Sequence, residues 1–364
     1  MPYDDPAIGA FSGYFEAPEP GRRECAESWA TAIGLQKVDG LTPSQFLIET
    51  AKQHIEGKLT QSQVRQKLHN YYAAKDETQR PNPAFEEPDK VSERIVSVIN
   101  DGGFSFTPEY FISIHAKLFE GIIPSAGKLR TTNIRKREWV LKDESVTYGD
   151  KASLMESIAR DFHDEAKYDY GGKSPATIIP HFARFIAQIW QVHPFSEGNT
   201  RTTAVFAIKY LNALGYRVTN NMFMEKSWYF RNALVRANYA DYMRDVKRDW
   251  SFLEAFFRNL LLDEQNELKS RYLLIGFKAS KDTNEQTTTK KTTKKTTKKT
   301  IGGNGRMGAT IIAALRQYPA LSANELASIT HLSADGVRYH LKKLKAAGTI
   351  RRIGPDKGGA WEVG

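Results

Sequence analysis

The chain has 364 residues, 40% hydrophobic and 26% charged, a globular composition with room for more than one core. No run approaches the roughly 18 unbroken apolar residues of a membrane span, and the acidic, Pro-containing start MPYDDPAIGAF lacks the basic end and apolar centre of a secretory signal. The single Cys25 excludes an internal disulfide framework and a cysteine-built zinc site, so a soluble cytoplasmic protein is expected. The net charge of +10 is unevenly divided: Lys278 to Gly364 hold 17 Lys and Arg against 6 Asp and Glu, whereas the first 277 residues hold 35 against 36. A neutral body is joined to a basic tail.

In chain order, Thr42 to Tyr72 shows two apolar stripes, Phe46, Leu47, Ile48, Ala51 and Ile55, then Val64, Leu68, Tyr71 and Tyr72, broken at Gly57. This predicts a helical hairpin with Thr42 and Thr60 as caps. A Pro- and charge-rich stretch, Glu77 to Asp89, separates it from the segment that begins at Val91. Arg137 to Tyr148, REWVLKDESVTY, has two β-prone runs around a polar turn and predicts a small hairpin. Ala176 to Trp190 is the strongest helix, with Ile178, Ile179, Phe182, Phe185, Ile186 and Ile189 on one face. Pro180 fits it only in the first turn. Thr203 to Leu214, Trp228 to Tyr239 and Trp250 to Leu274 are also expected to be helical.

Thr287 to Thr300, TTTKKTTKKTTKKT, can bury nothing and reads as a disordered, self-repelling tether, with a polybasic DNA- or membrane-skimming arm as the second reading. Beyond it, Met307 to Tyr318, a helix opened by the Ser322–Glu325 capping box, and a helix from Ser333 buried along Val337, Leu341 and Leu344 precede two strands, Thr349 to Ile353 and Ala360 to Val363. The expected fold is mainly α. It has an N-terminal segment over 1–89 with its helical hairpin near 42–72, a helical body over 90–277 carrying the small hairpin, a linker over 278–304, and a winged helix-turn-helix over 305–364.

The chemistry concentrates directly after the strongest helix, in His193-Pro194-Phe195-Ser196-Glu197-Gly198-Asn199-Thr200-Arg201. A histidine at a helix exit suits a general base near neutral pH. Glu197 offers a hard oxygen ligand for Mg²⁺. Gly198 and Asn199 feed a helix N-terminus, whose free N–H groups and positive dipole end bind phosphate, and Arg201 in the first turn suits a phosphate clamp. Singly, each of these residues fits an ordinary helix-connecting turn.

HPFSEGNTR resembles the signature of Fic proteins, His-x-Phe-x-(Asp/Glu)-Gly-Asn-Gly-Arg-x-x-Arg, and the resemblance extends over roughly residues 90–240. It implies a helical fold that binds ATP with Mg²⁺ and transfers AMP to a hydroxyl of a target protein. His193 would be the base, Phe195 a core anchor and Glu197 the Mg²⁺ ligand. Gly198, Asn199 and the backbone at Thr200 would form the anion hole, with Arg201 on the β- and γ-phosphates. The Trp139–Tyr148 hairpin would be the flap that aligns the target, and Tyr229, Phe230 and Asn238 lie where the family places its adenine pocket. Thr200 stands for the signature's third Gly and Ala204 for its final Arg, which removes a γ-phosphate cation and leaves the donor open, UMP and phosphocholine included.

The N-terminal hairpin resembles the antitoxin helices of some Fic proteins, whose (Ser/Thr)-x-x-x-Glu-(Gly/Asn) motif pairs its Glu with the final signature Arg. The nearest matches are Asp39-Gly40, with Leu35 four before, and Glu56-Gly57, with Lys52 four before. With Ala204 unable to pair, inhibition by that ion pair is expected to be weak or absent.

The C-terminal pattern resembles a winged helix-turn-helix. Arg338, Tyr339, Lys342 and Lys343 would face the major groove, and Arg351 and Arg352 on the wing would meet phosphate. Docking or dimerisation is the competing use of such a unit. The expected partners are a hydroxyl-bearing target protein, with the chain itself as one candidate, and DNA, with no membrane; a homodimer is left open. The alternative function is a DNA-binding regulator whose Fic domain only senses nucleotide. Cys25 reads as an idle thiol, and His115 and His181 as structural.

Overall fold

A computed structural model of the chain describes residues 9–73, 81–216, 218, 222–277, 311, 312, 315, 323, 326, 327, 334–346, 349–353 and 360–363. The chain divides into two units, residues 1–281 and 282–364. After a single helical turn, Ser12–Phe15, the first long helix of the larger unit, α1 (Pro20–Gln36), has Pro at its first position, where a missing N–H costs nothing. Along one side Ala26, Ala30 and Gly34 recur every four residues and are buried. A Cβ on Gly34 would lie 2.4 Å from Met224 Cα. Glycine is therefore what lets α1 lie directly on the backbone of α9 (Met222–Ala237), where the Ser227 hydroxyl donates to the Gly34 carbonyl at 2.7 Å. Periodicity does not predict this helix, because alanines interleaved with charges hide the period. After α1 a 3₁₀ turn, Lys37–Asp39, ends at Gly40 with φ 72°.

The expected hairpin is present as α2 (Gln45–Ile55) and α3 (Gln61–Tyr72). Its first cap is Ser44, not Thr42: the Ser44 hydroxyl accepts from the Leu47 N–H, while Thr60 forms a capping box with Gln63. Then come α4 (Glu86–Asn100), α5 (Pro108–Phe119), α6 (Leu154–Glu165), α7 (Pro175–Val192), α8 (Asn199–Ala213), α9 and α10 (Ser251–Leu262). One hydrophobic cluster runs from Phe11 in the N-terminal segment through α1–α10. At its centre is α8, in which every residue from Asn199 to Leu211 is buried.

Three expectations change. Pro180 lies in the second turn of α7, since the helix starts at Pro175; burial of Ile178, Ile179, Phe182, Phe185 and Ile186 offsets the missing backbone bond. The expected hairpin at 137–148 contracts to a single antiparallel bridge, Glu138–Glu144, around a 3₁₀ turn, Trp139–Leu141. The long helix expected over 250–274 stops at Leu262, where Asp263 turns left-handed at φ 52° and the polar run after it supplies no apolar stripe; a 3₁₀ turn, Ser270–Leu273, comes next.

The smaller unit contains α11 (Ala334–Ala346) and an antiparallel pair, β1 (Ile350–Ile353) and β2 (Ala360–Val363), with Ile350 opposite Val363. Ile311, Leu315, Leu326, Val337, Leu341 and Ile350 form its core. The linker, the turn between the strands and most of the two expected preceding helices, the 322–325 capping box included, lie outside the described residues. Among the described residues no helix is long and apolar enough to cross a membrane.

Candidate active site at the junction of two helices

The signature loop joins α7 to α8, and each of its turns is held from outside. His193 ends α7 in the left-handed region at φ 49°, uncommon for a residue with a Cβ. Arg130 supports that conformation. Its backbone N–H donates to the Pro194 carbonyl at 2.8 Å, its Nε donates to the His193 carbonyl at 2.8 Å, and its Nη2 donates to the Gly149 carbonyl. One buried guanidinium thus ties the loop to the segment around Gly149. Asn199 staples the loop to itself: its Oδ1 accepts from the Phe195 N–H at 3.0 Å and its Nδ2 donates to the Phe195 carbonyl at 2.7 Å. That side chain is spent on the backbone, so only main-chain N–H groups of Asn199 and Thr200 remain as donors at the start of α8.

Phe195 is fully buried and stacks on His115, ring centroids 3.7 Å apart. The Gly127 N–H donates to His115 Nδ1 at 2.9 Å, so the ring proton sits on Nε2, which reaches the Glu197 carbonyl at 3.1 Å. Burial lowers the His115 pKa to about 4, which keeps the ring neutral. Gly198 takes φ 73°, and a Cβ there would lie 2.4 Å from the Phe119 ring. Only glycine closes this turn.

His193 is 2% exposed. Its Nδ1 lies 3.3 Å from the Trp190 carbonyl, which can only accept, so Nδ1 carries the proton and Nε2 the lone pair. Nε2 is buried without a partner among the described residues. Burial, then the positive charge of Lys136, holds the pKa well below the usual histidine range. The result is a neutral imidazole with an unused acceptor at physiological pH, the state a general base requires. The Tyr148 ring lies against it, centroids 4.3 Å apart. The Tyr148 hydroxyl is 3.3 Å from Glu138, a buried carboxylate that Arg231 grips through two bonds at 2.7 and 3.1 Å. Asn133, Ile134, Ser145, Thr147 and Tyr148 line a groove of about 560 Å³ beside this flap segment.

Arg201 is 2% exposed and caged. Its Nε is 2.8 Å from Asp39, its Nη2 2.7 Å from Glu87, and its Nη1 donates to Gln36 at 2.9 Å, with the Phe119 ring 4.7 Å away. Ala204 forms no ion pair, as expected, but Arg201 is paired, which the sequence does not suggest. The pair shifts from the missing final arginine at Ala204, itself fully buried, to Arg201. Asp39 supplies the carboxylate, while Glu56 is engaged elsewhere with Tyr14 and Lys58. The element that reaches the signature is therefore α1 with its 3₁₀ extension, not the α2–α3 hairpin.

The Thr200 hydroxyl accepts from the Trp190 indole at 3.0 Å, so the β-branched side chain turns into the core and leaves its N–H at the helix start. Glu197 is exposed beside that N-terminus, and its carboxylate suits a hard cation whose remaining ligands are phosphate oxygens. The residues of the expected adenine pocket lie within the fold. Tyr229, Phe230 and Asn238 are buried packing residues: Phe230 packs among Phe223, Phe256 and Phe257, and the Asn238 amide donates to the Ala187 and Leu234 carbonyls. Aromatic spacing there reports the core of α9 and α10. Sequence reasoning misses Arg130, Glu87, Gln36 and the Glu138–Arg231 pair; only Asp39, four residues after Leu35 and before Gly40, leaves a trace.

In the smaller unit Arg338, Lys342 and Lys343 are exposed on α11. Arg351 instead pairs across the strands with Glu362 at 2.6 Å. The side chains of Tyr339 and Arg352 lie outside the described residues.

Residues 105–211 match the Fic/DOC family, and residues 310–351 match a family described as winged helix-turn-helix DNA-binding. Among solved structures the chain is similar to a Fic family protein from Desulfovibrio desulfuricans G20, at 13% identity over 98% of this chain and 94% of that chain, with a TM-score of 0.46. No curated protein matches the chain.

Proposed function

We propose that this protein, which carries a Fic/DOC domain over residues 105–211 and a winged helix-turn-helix over 310–351, transfers AMP from ATP to a Ser, Thr or Tyr hydroxyl of a target protein. The observation that carries the reading is His193, neutral and with Nε2 unpartnered among the described residues, on the turn that leads into the N-terminus of α8. In the reaction the target oxygen forms a bond to the α-phosphorus. The α–β bridging bond breaks, pyrophosphate leaves, and the hydroxyl proton moves to Nε2. The N–H groups that open α8 would receive charge on the phosphate oxygens. When bound, Mg²⁺ would be held by Glu197 and would neutralise charge on the leaving phosphates. A target segment would lie along the groove at Ser145–Tyr148. The exposed Lys342 and Lys343, on a basic tail, support contact with DNA phosphate.

The cage around Arg201 favours a second reading, a nucleotide sensor at rest. Labelling separates the two. Purified full-length protein is incubated with Mg²⁺ and ATP labelled at the α- or γ-phosphate, with and without a bacterial lysate, beside His193→Ala. AMP transfer yields a covalent band from the α-label only, lost in His193→Ala. A band from neither label, with ATP binding retained in calorimetry, leaves the sensor or a different phosphate-containing donor.

A further inference from the structure

Away from the signature loop, one buried cation has no hydrogen bond on two of its nitrogens among the described residues. Arg236, near the end of α9, is 9% exposed, and the orphaned atoms are its Nε and Nη1. Asp249 is the nearby carboxylate, yet it forms no ion pair with Arg236 among the described residues. Its Oδ1 accepts instead from the Ser251 N–H at 3.0 Å and from the Ser251 hydroxyl, and its own N–H donates to the Arg236 carbonyl at 3.1 Å. Arg236 lines a cavity of about 330 Å³ together with Asp245, Lys247, Arg248, Asp249 and Gly276. The Lys247 and Arg248 side chains are exposed. A buried guanidinium with two nitrogens left without hydrogen bonds is costly, and a group from outside the chain could complete it.

We infer that this cavity binds a compact phosphate group, with Arg236 as the buried fork and Lys247 and Arg248 as the rim. Three cations against two carboxylates leave the cavity net positive, which favours an anion. The planar fork of arginine matches two phosphate oxygens at once. One wall reaches the flap segment, because the Ile275 N–H donates to the Val140 carbonyl at 2.9 Å. A phosphate held here would lie against the Ile275–Gly276 wall, which is bonded to Val140.

The test uses the full chain and inorganic phosphate, titrated calorimetrically at constant ionic strength with chloride as the control. Saturable binding is expected, weakened at least about tenfold by Arg236→Met and by the surface double change Lys247→Ala/Arg248→Ala, and unchanged in Arg201→Ala. The surface pair keeps the test valid should Arg236→Met fail to fold. Competition by AMP assigns the phosphate to a nucleotide, and its absence assigns free phosphate; both sustain the site. Lack of saturable binding up to about 10 mM, or binding lost in Arg201→Ala and kept in Lys247→Ala/Arg248→Ala, overturns the inference.

Discussion

Releasing Arg201 is the sharpest perturbation the geometry offers. A nucleotide phosphate can reach that guanidinium only by exchanging with Asp39 at 2.8 Å and Glu87 at 2.7 Å. Glu87 accepts a hydrogen bond from Nη2, whereas Asp39 faces Nε as an ion pair; charge-assisted bonds contribute about 1.5–3 kcal/mol each, and both carboxylates are about one-third exposed, which places them at or below ~1.5 kcal/mol. Asp39→Asn and Glu87→Gln keep shape and remove charge. Each is expected to tighten Mg-ATP binding roughly tenfold, and the pair about 100-fold, since ~1.4 kcal/mol is a factor of ten. The nucleotide-free protein should lose stability at the same time. At ~1.5 kcal/mol per carboxylate, and ~2–4 °C per kcal/mol for a unit of this size, each change lowers Tm by about 3–6 °C. Calorimetry with ATP and thermal unfolding without it read the two effects, which must have opposite signs. If the double variant bound ATP no more tightly than the parent while losing Tm, the cage would be a structural ion pair and the reasoning would fail.

Buried groups set three more outcomes. Thr200→Val strands the Trp190 indole N–H and should cost about 1–3 kcal/mol in urea unfolding while leaving the ATP Kd unchanged, because α8 presents the backbone N–H and not the hydroxyl. His115, lowered to about 4 from 6.5, binds its proton more readily in the unfolded chain. Its contribution is complete above pH 6.5 and is lost as pH falls towards 4, at up to about 1.4 kcal/mol per pH unit. The difference in urea midpoints between parent and His115→Phe should therefore shrink across that window; a constant difference would refute the assignment of a neutral ring. Removal of residues 1–44 strips Trp29, Ile33 and Leu35 from the core of the larger unit, so that unit should lose cooperative unfolding by circular dichroism and not gain activity.

Much of this protein can be read in one dimension. The α7 stripe, the run from His193 to Arg201, the basic tail and the winged-helix pattern are local: each depends on residues within one or two turns, where periodicity and turn chemistry operate. The positions of His193, the glycine turn at Gly198 and the start of α8 are legible for that reason. Whatever depends on distant segments is not. Gln36, Asp39 and Glu87 meet Arg201 across 165, 162 and 114 residues of chain. The close approach of α1 to α9 through Gly34 that carries the first two there leaves no periodic signal among short side chains. Tyr229, Phe230 and Asn238 have the spacing of a pocket and the burial of a core, and only the packing of α9 on α7 and α10 separates the two. The motif announces the chemistry because catalytic groups must sit close along the chain to share one turn; whether the phosphate clamp is free or caged depends on which side chains the tertiary fold brings to a buried guanidinium.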